Sequence, residues 1–404
     1  MSKHVPAGWQ VKPLEKLAST RTGKMNPLVD DKIKYIGLEH IDNGAITING
    51  YMWSDATASL NSLFKKDDIL FGKLRPYLRK CIQIGFDGCC SGELLVLKAN
   101  CESTNQNYLK CVLQSDPIYT FCDELSAGTK MPRVSWGDLK EFEVVLPPLP
   151  EQRKIAAVLS SADRSIVATE KLIAKLADLK KALMQQLLTK GIGHTEFKPS
   201  PLGPIPKSWE VKLLSDVISK IIDCEHKTAP FIDNGKYFVV RTNSIKDGQI
   251  IFEDAKYTHE EAFREWTQRE IPQPGDVLFT REAPAGEAAL VPEKLPLCLG
   301  QRMVLLKFNQ DVNSAFFVYS LYGSEMRKCL NDMLIGTTVS RINMADIKLI
   351  NCLIPPIDEQ RKIADILNGV DRKLSAAKVK LAKAKDLKQG LMNDLLTGKV
   401  RVSS

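Results

Sequence analysis

Basic residues set among glycines and prolines are where this sequence could do chemistry. Lys73, Arg75 and Arg79 stand in "FGKLRPYLRK", Lys130 and Arg133 in "AGTKMPRVSW", and Lys24 in "TGKMNP". A second set follows about 200 residues on: Arg281 in "LFTREAPAG", Arg302 in "GQRMVLLK", Thr337 and Arg341 in "IGTTVSRIN", with Lys227 and Arg241 in more divergent loops. Lys and Arg bind phosphate wherever they meet it, but they single out guanine only through an edge contact in the major groove. Any one of these residues could be a solvated surface charge. Clustered at equivalent places in two halves of a chain, they point to contact with DNA.

Bond-making chemistry finds no support. The chain has no G-x-x-x-x-G-K-[ST] loop, no G-x-G-x-x-G after a strand, and no Asn-Pro-Pro-aromatic or Asp-Pro-Pro-aromatic tetrapeptide of the kind an amino-methyltransferase uses. Its two Pro-Pro pairs read "LPPLP" and "IPPID". Five histidines do not assemble a Ser/His/Asp set, and no carboxylate and lysine cluster suggests a nuclease. No catalytic residue and no cofactor is expected on this chain. The ten cysteines are scattered without C-x-x-C spacing, so they are read as reduced thiols filling cores and no metal site is expected.

The elements that position the basic loops come from a duplication. "EQRKIA" occurs at Glu151–Ala156 and again at Glu359–Ala364, each time after a Pro-Pro pair. Residues 151–190 and 359–398 align without a gap and are identical at half their positions. The same offset matches Gly128-Thr129 with Gly336-Thr337, Arg133 with Arg341, and Asp68-Ile-Leu-Phe with Asp276-Val-Leu-Phe. It drifts to 200 at Trp9 and Trp209, so loops near the start of each copy differ in length. One unit is written twice, which approximates a two-fold dimer in a single polypeptide.

Each copy ends in a helix of about 40 residues, roughly 60 Å long at 1.5 Å per residue. Its apolar positions alternate steps of four and three, the 3.5-residue period of a coiled-coil seam. In the first copy the seam runs Ile155, Leu159, Ile166, Ile173, Leu176, Leu179 or Lys180, Leu183 and Leu187; in the second, Ile363, Leu367, Leu374, Leu381, Leu387, Leu391 and Leu395. Matching length and register predict that the two helices pair antiparallel. Prolines and glycines mark residues 191–207 as a linker.

Short β-leaning runs such as IKYIGL, AITINGYMW and RMVLLKF, with short helices near 105–116 and 313–331, predict two α+β globules. The divisions expected are 1–146, a first globule; 147–190, a first long helix; 191–207, the linker; 208–353, a second globule; 354–398, a second long helix; and 399–404, a tail. The net charge is +8, and the helical segments 146–190 and 354–400 carry +4 each, leaving globules and linker balanced. No apolar run approaches the ~18 residues of a membrane span, and the N-terminus has no signal-peptide pattern, so the cytoplasm is the expected location.

The tandem segments "PPLPEQRKIAAVL" and "PPIDEQRKIADIL", the endings "LMQQLLT" and "LMNDLLT", and the openings "VPAGW" and "IPKSW" together resemble the specificity subunit of type I restriction-modification enzymes across essentially the whole chain. The resemblance implies that each globule is a target recognition domain reading one half of a bipartite double-stranded DNA site. It also implies that the helices fix the separation of the halves and dock two methyltransferase subunits, which would carry S-adenosylmethionine. A restriction subunit, an ATP- and Mg-dependent translocase and nuclease, would join them. A non-DNA protein-interaction scaffold built on a coiled-coil hairpin is the alternative. One departure is Ile357-Asp358 where the first copy has Leu149-Pro150, which suggests that Asp358 caps the second helix.

Overall fold

The computed structural model describes residues 5–125, 131–336 and 340–402. By contacts the chain divides into two units, Met1–Ile173 with Ala377–Ser404, and Ala174–Ala376. Each unit joins one globule to the adjoining stretches of both long helices, Leu149–Leu187 and Ile357–Leu396. Both repeated domains are α+β.

The duplication is visible in strand order. In the first unit Gln10–Pro13 pairs antiparallel with Glu143–Leu146, and a four-stranded antiparallel sheet runs Ala18–Thr20, Leu94–Ala99, Ile69–Gly72, Cys81–Gln83. In the second, Glu210–Leu213 pairs with Asn351–Ile354, and the sheet runs Ile218–Asp223, Met303–Phe308, Val277–Thr280, Ala288–Leu290. Each unit has a further sheet with one parallel pair, Lys34–Ile36 beside Gly88–Cys90 in one and Tyr237–Val240 beside Leu297–Leu299 in the other. Two short helices follow each four-stranded sheet, Gln106–Leu113 and Asp116–Leu125, then Ser314–Leu321 and Ser324–Met333. Asn105 and Asn313 cap the first of each pair by accepting from the amides of Tyr108 and Phe316. Of the run AITINGYMW only Met52–Trp53 is strand.

The repeated hexapeptide is the joint between globule and helix. Glu151 accepts from Trp9 Nε1 at 3.0 Å, and Glu359 accepts from Trp209 Nε1 at 3.0 Å. Gln152 is fully buried: its Oε1 accepts from Asn105 N (2.8 Å) and its Nε2 donates to the carbonyls of Ser103 and Pro147 (both 2.9 Å). Gln360 repeats this with Asn313 N, Asp311 O and Pro355 O, all at 2.8 Å. Ile155 and Ala156, like Ile363 and Ala364, enter the core, while Arg153, Lys154, Arg361 and Lys362 face solvent. Two polar anchors and two apolar ones thus explain why the same residues recur in the same setting.

In the first unit Ile155 and Leu159 share a core with Met392 and Leu395 and with globule residues including Leu14, Phe71, Tyr108 and Leu146. Ile363 and Leu367 do the same in the second unit with Leu187, Leu188, Trp209, Phe279 and Phe316. Within each unit, then, the beginning of one helix lies beside the end of the other, which is antiparallel pairing. Ile166 is buried; Ile173, Leu176, Leu183, Leu374, Leu381 and Leu391 are partly so. Leu179 and Leu387 do not belong to the seam, being 47% and 63% exposed. The lysines beside them turn inward instead, because each meets an aspartate. Lys180 Nζ is 2.7 Å from Asp371, and Lys388 Nζ is 2.7 Å from Asp163, which also accepts from Lys110 at 2.8 Å.

Two further expectations need correction. Asp358 lies in the first turn of the second helix, which begins at Ile357, and pairs with Arg361 at 3.3 Å rather than capping the helix. An acidic residue there still suits the positive end of the helix. Residues 191–207 are more than a connector: Phe197–Lys198 pairs with Ile205–Pro206, and Leu202 and Ile205 are buried in the core of the second unit. Their apolar side chains override the Pro/Gly composition that suggested an open linker. Among the described residues no helix is long and apolar enough to cross a membrane.

Candidate nucleic-acid interface

In each unit part of the basic set is gathered by one construction, a loop leaving the four-stranded sheet laid against a later segment of chain. In the first unit the loop follows Ile69–Gly72. Lys73 O accepts from Val134 N (3.0 Å), Arg75 N donates to Pro132 O (2.8 Å), and Leu74 bridges Arg133. In the second, Arg281 O accepts from Ile342 N (2.9 Å), Ala283 N donates to Ser340 O (3.3 Å), and Glu282 bridges Arg341. Lys73 and Arg133 in one copy therefore occupy the places of Arg281 and Arg341 in the other. Lys130 and Thr337 lie outside the described residues, on the chain that leads into these segments.

The electrostatics of the first patch fit a binding role. The pKa of Lys73 lies below the ordinary lysine value: burial is the largest cause, and the like charges of Arg133 and Lys24 add to it against the attraction of Glu93. Lys24 and Arg133 thus each lie close enough to repel Lys73, a cost to the fold that an incoming phosphate would relieve. Arg75 holds a left-handed backbone at φ 51°, as does Arg302 at φ 67° in the second unit. Non-glycine residues adopt this region rarely, and it clusters at functional loops.

Not every candidate is free to meet a ligand. Arg79 Nη1 is tied to Asp116 at 2.5 Å and its guanidinium lies 5.1 Å from the Tyr119 ring, so it braces the globule. Lys24 donates to Ser62 Oγ at 2.8 Å, and Arg133 pairs with Glu93. In the second unit the cations are mostly matched: Arg281 with Asp223 (3.0 Å), Arg302 with Glu282 (2.9 Å), Arg241 with Asp254 (2.9 Å) and Lys227 with Glu265. Among the described residues the exposed side chains of Arg75 and Arg341 have no such partner. Arg241 and Arg302 line a cavity of about 350 Å³ together with Thr242, Ala283 and Gly300. Lys227 stands beside it, next to the lining residue Thr228.

Sequence reasoning missed an exposed aromatic cluster in the first unit. Lys34 Nζ lies 4.7 Å from the rings of both Tyr51 and Phe86, and Lys32 Nζ lies 5.5 Å from Trp53. Alternating lysines at 32 and 34 opposite aromatics at 51 and 53 were the available signal, hidden because the strand pairing between them is only two residues long.

A profile of the family described as type I restriction modification DNA specificity domain matches residues 6–178 and 206–385. The chain belongs to that family. The two matches cover the two copies of the duplicated unit. The type I restriction enzyme MjaVIII specificity subunit of Methanocaldococcus jannaschii is 28% identical over 330 residues, covering 80% of this chain and 77% of that protein. The putative MjaX specificity subunit of the same organism is 28% identical over 317 residues, 77% and 72% of the two chains. Among solved structures, the S subunit of a type I restriction-modification system from M. genitalium superposes with a TM-score of 0.64 at 15% identity, covering 98% of this chain and 97% of its own. A chain from a study of complex assembly in a type I R-M system superposes at 0.55 with 23% identity, covering 98% and 100%. At these identities both show the fold.

Proposed function

We propose that this specificity subunit reads a bipartite, asymmetric DNA site, one half with each globule, and performs no catalysis itself. The carrying observation is that the same loop-against-segment construction recurs in both units with different loop side chains, Lys73-Leu74-Arg75 in one and Arg281-Glu282-Ala283 in the other, each laid beside an arginine, Arg133 or Arg341. Equal frames with unequal surfaces would read two unlike sequences. The two long helices set the separation of the readers and offer equivalent surfaces for two methyltransferase subunits. Those partners would hold S-adenosylmethionine, and a restriction subunit would hold ATP and Mg. Half-sites about one helical turn apart, ~34 to 36 Å, would face the same side of the duplex.

DNA binding by the chain assembled with its methyltransferase subunit tests this reading. Arg341→Ala is expected to cost about 1 to 3 kcal/mol and to relax discrimination at the second half-site alone, if that arginine meets a base edge. Arg75→Ala, at a phosphate contact, is expected to weaken binding evenly across sequences and to lower the salt slope by about one. Absence of any sequence-selective mobility shift would support the non-DNA protein-interaction scaffold instead.

A further inference from the structure

One turn of the second globule, held by Arg281 and leading into Lys227, gathers a further set of donors. The strand Ile218–Asp223 runs into Asp223-Cys224-Glu225-His226, where a carboxylate oxygen, a thiol sulfur and a ring nitrogen all lie within 4.8 Å of one another. Among the described residues, no other set of His, Cys, Asp and Glu donors is gathered this way. His226 Nε2 is 3.0 Å from Asp223 Oδ2, and its Nδ1 is 3.9 Å from Cys224 Sγ. The His226 backbone is left-handed, φ 54°, which folds the imidazole back over the two preceding donors. Cys224 is buried and His226 exposed, so the group opens toward the surface.

We propose that Asp223, Cys224 and His226 form a binding site for a borderline divalent cation of the zinc type, which ties the turn carrying Lys227 to the sheet. One thiolate, one imidazole and one carboxylate make a donor set that zinc accepts in tetrahedral geometry, its fourth position left to water. Calcium and magnesium call for oxygen donors instead. Ligand atoms around a tetrahedral zinc sit about 3.5 Å apart, given bonds of 2.0 to 2.3 Å; with one ring nitrogen of His226 as ligand, the three donors here lie within 4.8 Å of one another, so they would draw together slightly on an ion.

The surroundings resemble the outer shell that orients metal ligands. Arg302 N donates to Cys224 Sγ at 3.2 Å, Gln301 Nε2 donates to His226 O at 3.1 Å, and Arg281 Nη1 holds both oxygens of Asp223 at 3.0 and 3.1 Å. The Arg281 charge opposes a cation, so binding should be weaker than at a closed structural site. The matching stretch of the first globule, residues 22–26, is Thr-Gly-Lys-Met-Asn and offers no Cys, His or carboxylate. The metal would act on one reader and leave the other untouched.

Cobalt(II) titrated into the full-length chain, purified without chelator or a histidine tag, reports the thiolate through sulfur-to-cobalt charge-transfer absorbance. The expected result is a saturable band that Cys224→Ser abolishes and that Cys101→Ser, at an exposed cysteine, leaves unchanged. His226→Ala is expected to weaken cobalt binding about 10-fold or more. His226 is exposed, so its removal decides the question even where the Cys224 variant does not fold. Absence of the band from the native chain, or cobalt affinity unchanged by His226→Ala, would overturn the proposal.

Discussion

Replacing Asp163 with alanine is expected to destabilise the first unit by about 3 to 5 kcal/mol, the cost of leaving a buried charge without its partner. Asp163 receives two lysines from different elements, Lys110 from the short helix Gln106–Leu113 at 2.8 Å and Lys388 from the second long helix at 2.7 Å. All three side chains are at most 15% exposed. At 2 to 4 °C per kcal/mol for a body of this size, the thermal midpoint should fall by roughly 10 °C. Changing all three residues together to apolar ones of similar volume should recover most of the loss, since a buried pair exchanged whole for well-packed hydrophobics is often neutral.

The same cluster makes a prediction about pH. Burial alone would raise the pKa of Asp163, but the attraction of Lys110 and Lys388 outweighs it and holds the value below the ordinary 3.8. Lys110, lowered by burial but raised by Asp163 together with the neighbouring Cys111 and Cys81, ends above 10.5. The aspartate's contribution is complete above pH 3.8 and is lost as pH falls through its depressed folded value. The lysine's is complete below 10.5 and is lost as pH rises through its elevated one. Thermal melts of the native chain minus those of Asp163→Ala should therefore differ by a constant amount across neutral pH and converge at both extremes.

Trp209→Ala is the second large loss, about 3 to 5 kcal/mol for a buried aromatic truncated to alanine. The indole is fully buried, meets Phe316 edge to face at 6.4 Å, and donates to Glu359. Glu359 would keep Ile192 N (2.8 Å) and His194 Nε2 (2.9 Å), so the variant loses packing more than it orphans charge. Trp9 has the matching place but is 6% exposed, with the Arg401 guanidinium 5.4 Å from its ring. Trp9→Ala should therefore cost less, and the denaturant midpoints of the two variants measure the difference.

The duplication and the long helices were legible in the sequence because both are periodic: the 3.5-residue seam survives as Ile155, Leu159 and Ile166, and the repeat can be aligned by eye. What the polar residues do was not. Gln152 reads as a surface residue of an amphipathic helix, yet two of its three hydrogen bonds, with Asn105 N and Ser103 O, reach chain that only the folded globule brings near. Lys388 reads as solvated, yet it turns inward because Asp163 waits on the facing helix. The basic loops were identifiable by composition, but which of them converge depends on the crossing of residues 72–76 with 131–134, separations no local pattern carries. Asp223, Cys224 and His226 were passed over because their spacing matches none of the familiar zinc signatures, and the left-handed turn that gathers them leaves no mark in composition.

The claim that the helices act as a ruler is tested most directly by methylation mapping with the assembled enzyme after one heptad is added to each long helix, between Ile173 and Ala174 and between Ala376 and Ala377. A heptad keeps the seam in register and lengthens each helix by about 10.5 Å, close to three base pairs at 3.4 Å each. The expected methylome keeps both half-sites and widens the gap between them. Half-sites that change, or a gap that stays the same, would contradict it.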